Sequence, residues 1–379
     1  MPTSSYWLAR PLAVVPAGLT TRPADVVVVG GGVSGCACAL RLSEHGLRVR
    51  LLDAGAIAGG ASGRNGGFAL RGGAASYLDA RAALGTGPAR MLWTLSERAL
   101  DRIERLACGA FRRVGSVRLA TSQAELAALR GEWDALREDG FAARWSGRLP
   151  PPLDQLYIGG CVHPPDGALD PVRFVRGLAR RAVRAGAEIG EHRRIEPAAL
   201  DELDCRAVVV AVDGSTSTLL PELAPFVVAT RGQVLVTEPV NRRLYPRPHY
   251  ARGGHDYWQQ LPNGRLLLGG RRDRSAATER TLLDETTALI QAELELLACE
   301  LLGAPPAVSH RWSGSWGETP DRLPLAGRVP GRERLWVAGG YSGHGNVLGF
   351  ACGELVARSI LGEEPPELAL FDPRRVLAA

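Results

Sequence analysis

The sequence predicts an α/β protein that combines a parallel-sheet domain with a second domain built on a mixed sheet. The first observation is Val26–Val29, a run of four valines typical of a strand buried on both faces, followed by a glycine-rich turn, a helical pattern and a second strand. The second is a similar apolar strand far along the chain, at 207–211. The third is the pattern after Arg231, where Asn263-Gly264 joins two apolar runs and indicates an antiparallel hairpin.

The expected elements follow in order from local patterns. A helix over 34–45 ends at Gly46, and a strand over 48–52 completes a βαβ unit of about 30 residues. The segment 54–73 is too rich in glycine for a helix or a strand and predicts a loop. The later elements rest on helical periodicity or on short apolar runs: helices over 88–107, 123–138, 171–185, 282–302 and 347–361, and strands over 207–211, 233–237, 257–261, 265–269 and 335–338.

The composition is that of a globular protein and excludes several kinds of chemistry. All 45 basic residues are arginine, so no lysine can form a Schiff base, hold a phosphate or act as a general base. The net charge is +5, but the 45 basic and 40 acidic residues are interspersed, so a nucleic-acid partner is not expected. The sequence contains no apolar run long enough to span a membrane, and we expect no signal peptide.

Seven cysteines are scattered through the chain, and none of them form a C-x-x-C pair. The odd number and the spacing argue against both a disulfide framework and a zinc site, so we expect no bound metal. Free thiols favour a reducing compartment, and we therefore expect a cytoplasmic location.

The glycine-rich turn after the first strand has the spacing of a dinucleotide-binding motif. In that motif Gly30 makes the turn, Gly32 admits a pyrophosphate to the backbone, and Gly35 lets helix and strand pack closely. Asp53, at the end of the second strand, can accept hydrogen bonds from the ribose of an adenosine. The predicted site also includes the residues that adjoin these positions, namely Val33, Ser34 and Ala54. A glycine turn with a purely structural role is the alternative.

Beyond this motif, residues 25–67 resemble the opening of the D-amino-acid oxidase (DAO) superfamily of FAD-dependent amine oxidoreductases. The flavin loop of that superfamily reads much as Gly60-Ala-Ser-Gly-Arg-Asn-Gly-Gly67 does. Further segments stand in the order and spacing that the superfamily shows, at 231–233, 257–270, 319–324 and 340–345. The resemblance covers residues 25–362. Within the superfamily the chain is most similar to the γ-glutamylputrescine oxidase branch, through its Tyr6-Trp7 arm and flavin loop, with the sarcosine oxidase and glycine oxidase branches beside it.

The resemblance implies a Rossmann-like FAD-binding domain of the glutathione-reductase type and a substrate domain with a mixed, antiparallel sheet. The FAD-binding domain is discontinuous and is expected at 24–80, 150–230 and 318–379. The substrate-binding domain is expected at 81–149 and 231–317, and residues 1–23 are expected to form an N-terminal arm.

The resemblance also assigns residues to the flavin. The flavin loop is expected to line the pyrophosphate, ribityl chain and ring through Ser62, Arg64, Asn65, Gly66 and Gly67. The turn before the last helix and the start of that helix are expected to stabilise the anionic reduced flavin, through Gly340, Gly343, His344, Gly345, Asn346 and Val347. The alternatives are a solvated loop charge at Arg64 and an ordinary histidine at His344.

We expect FAD to be held without a covalent bond. Sarcosine oxidases carry an attachment cysteine seven residues before the Asp of Thr-Pro-Asp, and that position is Gly314 here. Dimethylglycine dehydrogenase relatives carry a histidine in the neighbourhood that Arg64 occupies. Since neither nucleophile is present, the cofactor is expected to be dissociable.

The substrate side departs from the amino-acid oxidases, whose Gly-x-Arg-Pro segment clamps an α-carboxylate. The matching residues 314–317 place Trp316 at the arginine position, so amines without a carboxylate beside the reacting carbon are the expected substrates. An aromatic cage for the amine is expected from Tyr257, Trp258, Trp312, Trp316 and Tyr341, and core packing is the alternative for Trp316.

The reaction that the resemblance implies is FAD-dependent oxidation of a C–N bond in an amine or modified amino acid. Hydride passes to flavin N5, and the resulting imine is hydrolysed by water. His255 is the candidate for holding the amine deprotonated, although solvent can also take that proton. Arg71 is the candidate for an anionic group of the substrate, with a surface role as the alternative.

Molecular oxygen is the expected electron acceptor, although the oxygen-activating lysine of sarcosine oxidases cannot exist in this chain. Two alternatives stay open. One is a dehydrogenase subunit, of the sarcosine or N-methyl amino acid type, that passes electrons to a partner. The other is a flavoprotein that modifies tRNA.

Overall fold

A computed structural model describes residues 3–16 and 18–377. Its strands are β1 (Val26–Val29), β2 (Val49–Leu52), β3 (Phe68–Ala69), β4 (Phe111–Arg112), β5 (Ser116–Ala120), β6 (Arg144–Ser146), β7 (Gly159–His163), β8 (Gly167–Leu169), β9 (Glu188–Gly190), β10 (Ala207–Val210), β11 (Val228–Pro239), β12 (His249–Ala251), β13 (Asp256–Gln260), β14 (Arg265–Gly270), β15 (Val308–Glu318), β16 (Leu325–Arg328) and β17 (Leu335–Gly339). Its helices are α1 (Val33–Glu44), α2 (Tyr77–Leu84), α3 (Thr86–Leu106), α4 (Gln123–Glu138), α5 (Leu153–Leu156), α6 (Pro171–Arg184), α7 (Thr216–Leu219), α8 (Ala288–Leu302), α9 (Gly345–Ile360) and α10 (Arg374–Leu377). Within the described ranges, no helix combines the length and the apolar character needed to cross a membrane.

A six-stranded sheet in the order β16-β17-β10-β1-β2-β9 contains the predicted βαβ unit. β1 pairs in parallel with β2 on one side and β10 on the other, in a register that sets Val26 opposite Ala207. β10 also pairs in parallel with β17, and β2 with β9, whereas β16 joins β17 antiparallel. The four valines of β1 are all buried, and α1 packs against α6 and α9 beside the sheet. The predicted parallel sheet is therefore confirmed.

An eight-stranded sheet follows the order β15-β11-β14-β13-β12-β5-β7-β6. β11 forms a long antiparallel ladder with β15, and β13 and β14 form the predicted hairpin around the Asn263-Gly264 turn. β12 runs parallel to β5, so the sheet is mixed as expected. A third, small sheet joins β3, β8 and β4. The fold class predicted from the sequence is thus confirmed.

The division into domains stays a prediction. Strand pairing is informative about one predicted boundary, the one between residues 149 and 150. The predicted FAD-binding segment 150–230 includes β7, yet β7 pairs with β5 and β6 inside the mixed sheet. Strand pairing therefore groups β7 with the segment 81–149. Residues 1, 2 and 17 of the predicted arm, and residues 378 and 379 of the last segment, lie outside the described residues.

Helix α8 begins later than its periodicity predicts, at Ala288 instead of 282. Contacts hold the preceding segment outside the helix, because Thr287 donates its N–H to Gln233 Oε1 at 2.9 Å and Asp284 pairs with Arg64 at 2.8 Å. Tertiary contacts here override a sequence that is compatible with helix.

The flavin loop, residues 60–67, is fixed by two distant parts of the chain. The N-terminal arm reaches it first: Ser5 Oγ donates to the Gly63 carbonyl at 2.6 Å, and Trp7 Nε1 donates to the Asn65 carbonyl at 2.8 Å. From β15, Trp312 Nε1 donates to the Arg64 carbonyl at 2.7 Å. The loop therefore has a defined shape although it contains little regular structure.

Candidate active site

One large cavity of about 1190 Å³ is lined by residues from both major sheets. Gly30, Asp53 and Ala211 line it just after the carboxyl ends of the parallel strands β1, β2 and β10. Tyr257 of β13 and Trp316 of β15 line it from the mixed sheet. Ligands of doubly wound folds bind outside the carboxyl ends of the strands, so this is the expected place for a nucleotide. The volume exceeds that of a common drug-sized pocket and leaves room for a dinucleotide together with a small molecule.

Most of the residues predicted from the sequence line this cavity. Those from the nucleotide side and the flavin loop are Gly30, Gly32, Val33, Ser34, Asp53, Ala54, Ser62, Arg64, Asn65 and Gly66. Those from the mixed sheet and from the start of α9 are His255, Tyr257, Trp316, Tyr341, Gly343, His344, Gly345, Asn346 and Val347. Gly35, Gly67, Gly340 and Arg71 do not line it.

The three glycines of the motif have separate physical roles. Gly30 has a φ of +113°, and a Cβ there would lie 2.3 Å from the Ala211 carbonyl oxygen. Gly35 is packed against Gly30, whose carbonyl oxygen would lie 1.9 Å from a Cβ at position 35. Gly32 faces the cavity. If a Cβ were added at this position, its nearest neighbour would be Ser62 Oγ, at 2.9 Å. Only Gly32 therefore leaves space that a ligand can use.

The first turn of α1 is open to an anion. Its N-cap residue, Gly32, has no side chain to bond the free N–H groups. Ser62 Oγ accepts one of them, from Val33, at 2.9 Å. The unsatisfied N–H groups and the positive end of the helix dipole favour a phosphate at such a position.

Asp53 is held rigidly at the end of β2. One carboxylate oxygen accepts the N–H of Gly31 at 2.6 Å, and the other accepts the N–H of Gly55 at 2.7 Å. Each oxygen keeps a further lone pair, so the carboxylate can still accept from hydroxyl groups of a ligand.

The start of α9 is joined to the flavin loop by a pair of amides. Asn65 and Asn346 donate to each other's Oδ1 at 3.1 and 2.9 Å, and Asn346 also donates to the Phe68 carbonyl at 2.9 Å. These two residues, predicted separately, thus form one unit. The first N–H groups of α9, from Gly345 to Val347, have no acceptor within the helix.

His344 lies at the N-cap of α9 and is neutral near pH 7. Burial, together with the nearby guanidinium groups of Arg118, Arg272 and Arg322, lowers the pKa of His344 to about 4. The stabilisation of an anion here therefore comes from the helix N-terminus and not from an imidazolium charge.

These features fit the FAD that the resemblance implies. Gly32 gives a diphosphate direct access to the backbone, and the start of α9 offers free N–H donors to an anionic ring. Both positions line the same cavity.

Arg64 lines the cavity, but other groups occupy its guanidinium. It forms an ion pair with Asp284 at 2.8 Å and donates to the carbonyls of Gly59 and Ser313 at 2.9 and 3.2 Å. Its contacts thus bridge the flavin loop, β15 and the segment before α8. The predicted contact with the diphosphate stays a prediction.

Arg71 does not face the cavity, and the expectation that it binds a substrate anion is wrong. Its side chain is fully buried, where it pairs with Glu97 at 2.7 Å and donates to the Ala142 carbonyl at 3.0 Å. The alternative of a surface role is wrong as well. A buried arginine needs such partners, and these partners lie away from the cavity.

The predicted aromatic cage is only partly formed. Trp258 is buried in a separate apolar cluster, and Trp312 points its indole N–H at the flavin loop, so neither lines the cavity. Phe68 and Tyr250, which sequence patterns did not single out, line it beside Tyr257, with ring centroids 5.3 to 6.0 Å apart. The strand that carries Tyr250 has only three residues, which is too short for a clear pattern.

His255 lines the cavity, and its side chain is 37% exposed. Its Nδ1 is buried without a hydrogen-bond partner among the described residues and lies 3.8 Å from an oxygen of Asp273. Partial burial, followed by the charge of Arg272, lowers the pKa of His255, so the imidazole is neutral at pH 7. A neutral imidazole on the cavity wall can act as a base.

Asp213 is a further carboxyl group on the cavity wall, and sequence reasoning missed it. It sits after β10 with a φ of +47°, and its Oδ1 accepts the N–H groups of Gly340 and Tyr341 at 2.9 and 3.4 Å. It therefore fixes the turn that leads into α9. Burial raises the pKa of Asp213 to about 6.

Because this pKa lies above the ordinary value of 3.8, the folded state takes up a proton more readily than the unfolded state. The contribution of Asp213 to stability should therefore increase as the pH falls through 6. Relative to Asp213→Asn, we expect the wild-type apoprotein to gain about 1 kcal/mol of unfolding free energy between pH 7.5 and pH 5. Urea denaturation of both proteins at the two pH values measures this. A wild-type-to-variant difference that does not change with pH would contradict it.

Comparison with known proteins gives a consistent set of relatives. A family model described as DAO, FAD dependent oxidoreductase, matches residues 25–359. The probable oxidoreductase OrdL of Rhizobium meliloti (strain 1021) is 28% identical over 400 residues, which cover 94% of this chain and 87% of that protein. The gamma-glutamylputrescine oxidoreductase of Escherichia coli (strain K12) is 28% identical over 395 residues, or 95% and 89% of the two chains. The crystal structure of glycine oxidase from Geobacillus kaustophilus matches with a TM-score of 0.77 at 22% identity, over 93% of this chain and 98% of that one, which shows the shared fold.

Proposed function

The chain belongs to the DAO family of FAD-dependent oxidoreductases, and we propose that it oxidises a C–N bond in an amine or modified amino acid. It is an enzyme with FAD as its cofactor, as the sequence predicted. When bound, FAD supplies the two-electron acceptor that takes hydride from the carbon beside nitrogen and leaves an imine for water to hydrolyse.

One observation carries the proposal: a single cavity connects the open first turn of α1 with the aromatic wall of the mixed sheet. A cofactor held at Gly32 and Asp53 can therefore share one enclosed space with a small molecule beside Tyr257 and Trp316. Aromatic faces attract the cationic or polarised nitrogen of an amine, and the neutral imidazole of His255 can receive its proton.

Each part of the cavity wall has a task in this proposal. Asp53 would hold the ribose of the adenosine, and the N-terminus of α1 with Ser62 would hold the diphosphate. The N-terminus of α9 would stabilise negative charge on the reduced ring. The hydrogen bonds between Asn65 and Asn346 hold this helix end against the flavin loop. The chain supplies orientation, electrostatics and a proton acceptor, and needs no side-chain nucleophile.

The test is reduction of the bound flavin by amines in the absence of oxygen. The purified holoenzyme is mixed with polyamines, N-methyl amino acids and D-amino acids, and loss of the oxidised-flavin absorbance is followed. We expect at least one of these classes to bleach the flavin. Bleaching by none of them, in a protein that dithionite reduces fully, would contradict the proposal.

Molecular oxygen is proposed as the electron acceptor. Hydrogen peroxide released in air, at the rate of amine consumption, supports an oxidase. Turnover with an artificial dye but not with oxygen would instead favour a dehydrogenase that passes electrons to a partner. An absorbance ratio at 260 and 280 nm that stays high after the flavin is removed would favour the tRNA-modifying alternative.

We expect FAD to be released when the protein is precipitated with acid. All seven cysteines are unpaired and none lines the cavity, and Gly314 occupies the cysteine attachment position. The measurement is the flavin absorbance of supernatant and pellet. Yellow colour in the washed pellet would show a covalent link and contradict the expectation.

The free thiols also support a cytoplasmic location, which is part of the proposal.

A further inference from the structure

Helix α8 has an apolar face that points away from the mixed sheet. Its inner face is buried against that sheet, where Leu294 belongs to an apolar cluster with side chains of β11 and β14. On the outer face Leu289 and Leu296 are 51% and 58% exposed, Ala292 is exposed and Cys299 is half-buried. These last four residues are called the α8 stripe below.

The exposure of the α8 stripe is concentrated in one part of the chain. Nine large apolar side chains are exposed among the described residues, and four of them lie within positions 282–296. Leu282 lines the cavity, whereas Leu289 and Leu296 do not. The cavity therefore does not account for the exposed leucines of α8, and neighbouring apolar side chains at a surface are typical of a protein contact.

The spacing of the α8 stripe is that of a coiled-coil seam. Its members follow one another at intervals of three, four and three residues, as the a and d positions of a heptad repeat do. Large and small side chains alternate along it. If two copies of α8 pack antiparallel about a twofold axis beside position 294, Leu289 of one copy faces Cys299 of the other. Ala292 then faces Leu296, so every large side chain meets a small one, whereas a parallel pair would set leucine on leucine and alanine on alanine.

The two edges of the α8 stripe each carry charges of both signs. The acidic side chains on these edges have arginine partners in the same chain, at Glu293–Arg274 (3.4 Å), Glu300–Arg271 (3.8 Å) and Glu295–Arg311 (2.7 Å). In an antiparallel pair each edge lies beside the same edge of the other copy. Edges with both signs can meet in this way without net repulsion, and they offer little to a strongly acidic or strongly basic partner. The charges therefore favour a second copy of this chain.

The size of the α8 stripe indicates how strong such a contact can be. From 289 to 299 the helix rises about 15 Å. Stable interfaces bury about 800 Å² on each partner, and one short helix face contributes less than that. We therefore expect a reversible association with a dissociation constant on the order of 10 μM.

We propose that two copies of this chain associate through the α8 stripe, as an antiparallel helix pair with twofold symmetry. Because the same surface is used on both copies, the contact closes at a dimer. The dimer is separate from the proposed reaction, since no member of the stripe lines the cavity.

Sedimentation velocity of the holoenzyme, at concentrations on either side of the expected constant, tests the association. The variant is Leu296→Glu. The matched control is Ile158→Glu, which changes another exposed apolar residue, 43% exposed, next to β7 near the opposite end of the mixed sheet. Flavin content and melting temperature establish that each protein is folded and loaded.

We expect the mass of the wild type and of Ile158→Glu to rise with concentration from that of one chain to that of two. Leu296→Glu should associate at least about tenfold more weakly, because dimerisation would bury its carboxylate against Ala292 of the other copy.

A disulfide cross-link tests the antiparallel register. Leu289→Cys places a thiol opposite the native Cys299 of the second copy. With diamide as the oxidant, which takes up the hydrogens of the two thiols, we expect a covalent dimer on a non-reducing gel. The control is Leu289→Cys/Cys299→Ser, which should give no such dimer, because only a parallel pair would bring the two introduced thiols together. This control also reports any cross-link through another cysteine, such as the exposed Cys108.

Wild-type protein that stays monomeric over the whole range would mean that another partner, or none, covers the α8 stripe, and would overturn the inference. Association of Leu296→Glu as strong as that of the wild type, or equal weakening by Ile158→Glu, would do the same. A cross-link that survives Cys299→Ser would overturn the antiparallel arrangement.

Discussion

Protein carrying Gly32→Val should fold but purify without flavin. The backbone of Gly32 has a φ of −78° that any residue can adopt, and a Cβ added there would meet only the side chain of Ser62, whose Oγ would lie 2.9 Å away. The polypeptide can therefore accept a side chain here with a small adjustment of Ser62. The valine methyl groups would occupy the cavity at the open first turn of α1, where the diphosphate is expected.

The measurement compares flavin absorbance per protein, melting temperature and circular dichroism with those of the wild type. We expect occupancy to fall at least tenfold while the secondary structure is kept. Gly177→Val is the control, because that glycine lies in α6 and its built Cβ has no neighbour within 4 Å. Full flavin occupancy in Gly32→Val would show that the motif is only structural.

Gly35→Val should fail to fold, although it lies three residues away in the same motif. A Cβ at position 35 would lie 1.9 Å from the carbonyl oxygen of Gly30, which is backbone and cannot rotate aside. Relief of this overlap requires α1 to move off β1, and α1 packs against both α6 and α9. The cost exceeds the few kcal/mol that overpacking of a core commonly brings, because the clash is with backbone.

Soluble yield and the denaturation midpoint of Gly35→Val and Gly35→Ala measure this effect. We expect both variants to be largely insoluble or to lack a cooperative transition. A variant at position 35 that is as stable as the wild type and only lacks flavin would contradict the separation of roles between the two glycines.

Local sequence patterns were sufficient to predict the structure wherever residues close in sequence are also in contact in the fold. The four valines of β1, the glycine turn and α1 form one continuous unit, so their structure follows from spacing and residue type. The hairpin at Asn263-Gly264 follows for the same reason. The open first turn of α1 and the position of Asp53 could therefore be predicted from about 30 residues.

Contacts between distant segments could not be derived in this way. Arg272 and Trp316 are 44 positions apart, and nothing in either segment indicates that the guanidinium rests on the indole. Arg71 lies four residues after the flavin loop, but the groups that its guanidinium contacts, on Glu97 and Ala142, come from other elements. A cation near a site in sequence can face either side of the chain, and only packing decides which.

The amide pair between Asn65 and Asn346 has a consequence for synthesis on the ribosome. These residues are separated by 281 positions, so the flavin loop obtains this partner only after α9 has been translated. Its contact with Trp312 of β15 also comes late. The nascent chain can form β1, α1 and β2 early, but without these partners and without α9 it cannot complete the cavity wall. Cofactor insertion should therefore wait until α9 has been synthesised, and nascent chains that end before Asn346 should bind no flavin.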